Sequence, residues 1–167
     1  MEVTTAQVKE LREITGAGVM DCKRALIEAG GDKQKAAEIL RKGGLTAAEK
    51  KSHRTTEQGL VECYIHAGGR IGAMVEVNCE TDFVARTPDF KALARDLAMQ
   101  VAATGPLSVS REDLPAGAEG TPEELCLLCQ AYIRDPGRMV QDIVNDIIAK
   151  TGENVQVRRF ARFELGS

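Results

Sequence analysis

The sequence predicts an α+β protein, in which an N-terminal bundle of three helices precedes a small antiparallel three-stranded sheet packed with helices. Apolar residues recur every three or four positions through residue 43, which is typical of helices with one buried face. From residue 59 the apolar period changes to two, which is typical of strands. A last extended segment, residues 154–165, supplies the third strand.

The first 43 residues read as three short helices. Capping and helix-breaking residues divide them, namely Thr4 or Thr5, Gly16–Gly18, Gly30–Gly31, Asp32 and Gly43–Gly44, the last pair being expected to end the third helix. Apolar spacing predicts the inward-facing side chains, namely Val8, Leu11, Ile14, Val19, Cys22, Leu26, Ala29, Ala36, Ile39 and Leu40. We therefore expect a bundle over residues 1–44, a partly helical polar linker over 45–58 and an α+β core over 59–167.

The core begins with a predicted hairpin. Val61, Cys63 and Ile65 alternate with polar or aromatic residues, a glycine-containing turn follows at 67–70, and the second strand runs to Cys79. Thr87 is then expected to cap a helix whose first position is Pro88, and Gly105-Pro106 ends that helix.

The remaining third of the chain predicts two more helices and the last strand. Residues 115–122 read as a loop, and a capping box at Thr121–Glu124 predicts a helix that buries Leu125, Leu128 and Tyr132. A longer helix follows residues 135–137, with Met139 among its inward residues and Gly152 as its stop. Broken alternation in the final strand indicates a β-bulge.

Composition excludes several classes of protein. No apolar run reaches the ~18 residues that a membrane span needs, and the N-terminus lacks the pattern of a secretory signal. The odd number of cysteines, five, favours reduced thiols in the cytoplasm. A net charge of −3 is unlike that of a dedicated nucleic-acid binder, so we expect neither a membrane nor direct nucleic acid as partner.

Catalytic and metal-binding patterns are weak. Cys126 and Cys129 form a CxxC that fits a redox pair or half a zinc site, but no second pair exists, and an apolar helical run favours inert buried cysteines. His53 and His66 are the only histidines, which leaves little support for a catalytic triad. We therefore expect no enzyme, no metal and no cofactor.

Phe83 is the residue whose role the pattern leaves open. It follows the second strand beside Asp82, in a chain that has four phenylalanines and no tryptophan. Phe83 could fill the core under the hairpin, or it could be an exposed aromatic anchor for another protein. Residue type and position do not separate these two interpretations.

The stretch that contains Phe83, NCETDFVAR at residues 78–86, closely resembles the signature of bacterial elongation factor Ts, the guanine-nucleotide exchange factor of elongation factor Tu. Three longer segments resemble the same family: residues 8–44 its ubiquitin-associated-like three-helix module, 64–86 its core hairpin and 151–166 its C-terminal strand. Together they cover most of the chain.

The resemblance implies a set of contacts with elongation factor Tu. Asp82 and Phe83 match the pair that disturbs the magnesium and phosphate site of that GTPase, so that GDP leaves. The other positions that the resemblance assigns to the partner are Thr81, Val84 and Arg86 around that pair, Arg12, Val19, Met20 and Lys23 in the bundle, Thr151, Gly152 and Glu153 beside the pair, and His66 for the third domain of the GTPase.

Two departures from the family pattern stand out. This chain has one hairpin module where larger members have two, which implies a homodimer in which a second chain supplies the other module. Much of a helical pair is also missing, and residues 115–122 form a loop in its place. Besides the exchange factor, a protein-binding adaptor and a thiol oxidoreductase that uses Cys126 and Cys129 remain alternatives.

Overall fold

The computed structural model describes residues 3–167, so the first two residues of the predicted bundle lie outside the described range. The predicted α+β class is confirmed. Its elements are α1 (Thr5–Thr15), α2 (Val19–Glu28), α3 (Lys33–Lys51), β1 (Gln58–Ile65), β2 (Ile71–Cys79), α4 (Asp82–Ala85), α5 (Pro88–Thr104), α6 (Pro122–Leu125), a 3-10 turn (Leu127–Cys129), β3 (Ala131–Tyr132), β4 (Asp135–Met139), α7 (Val140–Thr151) and β5 (Val155–Glu164).

The helices of the bundle begin where their capping residues predict. The Thr4 side chain accepts the N–H of Gln7, and the Asp32 carboxylate accepts two backbone N–H groups at the start of α3. A cluster of buried side chains joins the three helices, namely Val8, Leu11, Cys22, Ala25, Leu26 and Ala36. Two inward predictions are wrong, since Ile14 and Val19 are 69% and 52% exposed.

Helix α3 continues through Gly43-Gly44 to Lys51, so the predicted helix end at these glycines is wrong. Gly44 is buried, and a Cβ atom there would lie 3.9 Å from the Cβ of Ala149 in α7. Close approach of α3 to α7 therefore outweighs the poor helix propensity of glycine. The domain boundaries at residues 44 and 58 stay predictions.

The three-stranded sheet has the order β1-β2-β5, and both pairs are antiparallel. Helices α5 and α7 cover one face, where Val75 and Val77 of β2 and Phe90 of α5 are fully buried. Between β2 and β5 the register shifts from Glu76 opposite Arg159 to Val77 opposite Val157. The predicted bulge in the last strand is thus confirmed.

Among residues 3–167, no helix covers the other face of the sheet. The predicted alternation in β1 is present, but Leu60 and Tyr64 pack on the core while Val61 and Ile65 are 60% and 65% exposed. Paired residues of antiparallel strands share a face, and we call the uncovered set the open face, namely Val61, Cys63, Ile65, Gly72, Met74, Glu76, Arg159, Ala161 and Phe163. Glu76 and Arg159 form an ion pair at 2.7 Å within it.

The predicted helix from Thr121 to Tyr132 is wrong. Helix α6 ends at Leu125, and the chain continues through the 3-10 turn into the β3–β4 hairpin. Tertiary bonds explain the difference, because the buried Gln100 side chain bonds Ala131 O at 3.1 Å and Ile133 N at 2.9 Å. The longer helix is α7, which Met139 precedes as a 47% exposed cap rather than as an inward residue.

Candidate partner-binding site

Phe83 lies on the outer side of α4, directly after β2. Its side chain is 78% exposed, whereas Val84 is half-buried and Ala85 is buried. The interpretation of Phe83 as core is therefore wrong. A large apolar side chain is presented to solvent by a helix whose opposite side packs into the sheet.

Helix α4 has four residues and is held by side-chain bonds at both ends. Thr81 is its N-cap and accepts the N–H of Val84 at 3.4 Å. Asp82 and Arg86 form an i,i+4 ion pair at 2.8 Å on its outer surface. The Thr87 hydroxyl donates to Val84 O at 2.8 Å and also caps α5, which joins the two helices rigidly.

The turn between α7 and β5 contacts the residues just before α4. Glu153 accepts three hydrogen bonds, from Glu80 N at 3.1 Å, Thr81 N at 3.0 Å and the Thr81 hydroxyl at 2.6 Å. Gly152 ends α7 with φ 75°, a left-handed conformation that favours glycine, and Thr151 accepts the N–H of Glu153 at 3.3 Å. The structure thus places this turn against Thr81, the N-cap of α4, two residues before Phe83.

A further hydrogen bond between the same two segments, which the sequence did not indicate, completes the support of α4. Glu80 accepts the N–H of Asn154 at 2.6 Å, while the buried Asn154 side chain donates to Arg54 O at 2.9 Å. The pKa of Glu80 is lowered, first by the bond from Asn154 and also by the Arg54 charge. The ends of β2 and α7 and the segment after α3 are therefore tied together beneath α4.

The four predicted contact residues of the bundle lie together. Arg12, Val19, Met20 and Lys23 line one groove of about 370 Å³ on α1 and α2. Met20 is 71% exposed, and three cationic side chains, Arg12, Lys23 and Lys9, line the same groove. The groove can therefore accept an apolar surface that carries negative charge.

His66 lies at the other end of the hairpin. It is exposed after β1, with its Nδ1 atom 3.0 Å from the Tyr64 hydroxyl. Strand β2 separates His66 from α4 by roughly 27 Å, at 3.4 Å for each residue. His66 and Phe83 therefore cannot contact the same small feature of a partner.

Other sites for chemistry are few in residues 3–167. No group of three or more histidine, cysteine, aspartate or glutamate side chains is arranged to hold a metal ion there. Within the same range, no helix combines the length and apolarity that a bilayer crossing requires. Cys126 is buried as predicted, but Cys129 is half-buried, and neither lies in a long helix.

Comparison with known proteins places these features in a family. The family model described as "Elongation factor TS" matches residues 34–121, which include Asp82 and Phe83. The elongation factor Ts of Caldanaerobacter subterraneus subsp. tengcongensis is 51% identical to this chain, covering 98% of this chain and 97% of that protein. Those of Carboxydothermus hydrogenoformans and Thermotoga petrophila are 52% and 49% identical, covering 98% and 99% of this chain and 89% and 98% of theirs.

These matches make the chain a translation elongation factor of the nucleotide-exchange class. It belongs to the elongation factor Ts family. The alignments span 194 positions against 167 residues, so the relatives have residues that this chain lacks.

Proposed function

We propose that this protein binds elongation factor Tu in its GDP form in the cytoplasm and promotes release of GDP, with Phe83 as the wedge. Phe83 inserts between helices of the GTPase near its magnesium site and displaces the groups that hold magnesium and the phosphates. The observation that carries the proposal is a 78% exposed phenylalanine on a four-residue helix supported from three sides.

Exchange of this kind is differential binding and requires no covalent step. A factor that binds nucleotide-free GTPase more tightly than the GDP complex lowers the affinity for GDP by the same factor. The interactions of Phe83 must therefore form only in the state from which GDP leaves. Rigid support favours this, because an already ordered side chain loses little conformational entropy when it binds.

The groove of Arg12, Val19, Met20 and Lys23 is proposed as a second contact with the GTPase. It is proposed to supply affinity that does not depend on the bound nucleotide, because its residues lie on α1 and α2 and not on α4. Two contacts on one chain raise the effective concentration of the wedge at its target. Removing the groove contacts should then weaken binding without changing the maximal rate of release.

The active form is proposed to be a homodimer that pairs the open faces of two chains. The sheet is a single layer with helices on one side only, and Met74 and Phe163 are 52% and 76% exposed on the other. Two such sheets packed face to face would bury these side chains. The second chain would then present its own hairpin and His66 to the third domain of the GTPase.

The test is release of a fluorescent GDP analogue from elongation factor Tu, with Phe83→Ala against the parent protein. The rate at saturating factor should fall at least tenfold. Only about a fifth of the Phe83 surface is buried, so the free energy of unfolding should fall by about 1 kcal/mol or less. Leu107→Ala is the matched control, an exposed apolar truncation outside the proposed contacts, and should exchange like the parent.

Three results would contradict the proposal. Unchanged GDP release by the parent protein at saturation would leave the adaptor alternative, in which the groove and the open face bind another protein. Equal slowing by Leu107→Ala would indicate a general effect of apolar truncation. A loss of several kcal/mol of stability in Phe83→Ala would assign the lost activity to the fold.

A further inference from the structure

A pair of cysteines in the segment that connects α6 to β3 forms a site that the exchange function does not use. Cys126 and Cys129 flank the 3-10 turn, and the N–H of Cys129 donates to Cys126 O at 3.0 Å. A turn closed by this bond holds its first and fourth Cα atoms within about 7 Å. A disulfide spans Cα separations of about 4.4–6.8 Å, so the turn brings the two Cα atoms into a compatible range.

Both sulfur atoms face the same short stretch of chain. The Ser108 hydroxyl lies 3.5 Å from Cys126 Sγ, and Arg111 Nε donates to Cys129 Sγ at 3.4 Å. Ser108 is also bridged to Cys126 through the backbone, which fixes the stretch against the turn. Both thiols therefore contact the stretch of residues 108–111.

The two thiols differ in access and in neighbours. Cys126 is fully buried, whereas Cys129 is half-buried beside the Arg111 guanidinium. Arg111 also forms an ion pair with Glu123 at 2.8 Å. The pKa of Arg111 is raised, first by the hydrogen bond to Cys129 and also by the Glu123 charge. The contact places a charged donor on the more accessible of the two sulfur atoms.

We propose that Cys126 and Cys129 are a peroxide-sensitive pair, in which Cys129 is oxidised first and Cys126 then closes a disulfide. The Cys129 thiolate attacks hydrogen peroxide, an S–O bond forms as the O–O bond breaks, and hydroxide leaves. The sulfur is thereby oxidised by two electrons to a sulfenic acid. The Cys126 sulfur then attacks Cys129, the S–S bond forms, and water leaves with the Cys126 proton.

The product would be a modified protein rather than a turnover catalyst. The disulfide would close a short loop within the segment that pairs with Ser108 and Val109 through the N–H groups of Leu127 and Leu128. A buried Cys126 cannot present itself to a separate disulfide substrate, which disfavours the thiol oxidoreductase alternative. The two interpretations predict different results. A peroxide-sensitive pair gives a stable change in mass, whereas a thiol oxidoreductase gives multiple turnovers.

The experiment is peptide mass analysis of the full-length protein after titration with hydrogen peroxide and blocking of the remaining thiols. Trypsin leaves both cysteines in the peptide of residues 112–134, and Cys63 in that of residues 55–70. The first peptide should lose two hydrogens and escape blocking at peroxide levels that leave Cys63 reduced. Cys63 serves as the internal control, because it is more exposed than Cys129 in the single chain. Since Cys63 lies on the open face, the comparison is made in a Phe163→Asp background, in which two open faces do not pair.

Three variants separate the steps. Cys126→Ser should accumulate a sulfenic acid at Cys129, trapped by dimedone, whereas Cys129→Ser should leave Cys126 reduced. Arg111→Gln should slow oxidation roughly tenfold, because a charged donor bonds about twice as strongly as a neutral one. The proposal is overturned if Cys63 oxidises first, if Arg111→Gln matches the parent, or if Cys126 is oxidised in Cys129→Ser.

Discussion

Glu153 offers the sharpest test of whether GDP release depends on how rigidly Phe83 is held. Its carboxylate accepts three hydrogen bonds from Glu80 and Thr81, which fix the turn directly before Phe83. Glu153→Gln keeps the size of the side chain and removes its charge. One oxygen can still accept the two backbone N–H groups, while an amide NH₂ replaces the oxygen that accepts the Thr81 hydroxyl.

The size of the effect follows from the bonds that change. Bonds to a charged acceptor contribute about 1.5–3 kcal/mol each and neutral bonds about 1 kcal/mol. Glu153 is half-buried, so water replaces part of what is lost, and the net cost should be about 1–2 kcal/mol. If the turn must be ordered for exchange, the rate of GDP release at limiting factor should fall about 5- to 30-fold.

Release of a fluorescent GDP analogue over a range of factor concentrations, with urea unfolding of each variant, measures both quantities. A double-mutant cycle with Thr81→Val isolates the bond between the two side chains, and a coupling energy above about 0.5 kcal/mol is expected. Glu119→Gln, in the exposed 115–122 loop, is the control for loss of a carboxylate. Undiminished exchange by Glu153→Gln, with stability lowered as expected, would refute the link between support and activity.

Three further predictions concern the rest of the fold. Phe163→Asp places a charge on the open face and should convert the dimer to a monomer in sedimentation velocity, whereas a parent protein that is already monomeric would contradict the dimer. Gly43→Ala should raise the free energy of unfolding, measured in urea, by up to ~1 kcal/mol, because a Cβ atom at this position meets nothing within 4 Å. Destabilisation by this substitution would show instead that α3 needs flexibility at this point. Burial raises the pKa of Cys79 from 9.0 to about 11, and the Glu153 charge raises it further in the same direction. The contribution of the Cys79 thiol to stability is therefore complete below pH 9 and is lost as pH rises towards 11. Cys79→Ala should therefore show a shallower alkaline loss of stability in pH-resolved urea unfolding, and parallel profiles would refute this.

Local signals predicted the starts of the helices well, because capping is decided within a few residues. Thr4, Asp32 and Thr87 cap α1, α3 and α5 through bonds to residues two or three positions further along the chain. Contacts between distant segments produced the errors. Helix α3 passes through its glycines because Ala149 lies against Gly44, and Gln100 holds residues 131–133 in place of the predicted helix.

The candidate site likewise combines residues that the sequence indicated and contacts that only the folded structure shows. Resemblance to a family pointed to Phe83 and Glu153, but the period-two pattern of β2 could not show that Phe83 would be exposed. Glu80 and Asn154 are 74 residues apart, and no local pattern indicates that the backbone of one meets the carboxylate of the other. The contact between Glu80 and Asn154 follows from the pairing of β2 with β5, which is known only once the sheet is assembled.

The length of α4 explains why its support is distributed over so many elements. A helix of four residues cannot form alone, since helix nucleation is costly and isolated helices shorter than about 12 residues are marginal in water. Val84 packs against the core and Ala85 is buried, which orients the helix, while Glu153 and Thr87 hold its two ends. Phe83 is then an aromatic group with two rotatable side-chain bonds on an ordered base, so most of its contact energy is available for distinguishing two states of a partner. A longer helix would need less of this support, so the number of elements that hold α4 follows from its shortness.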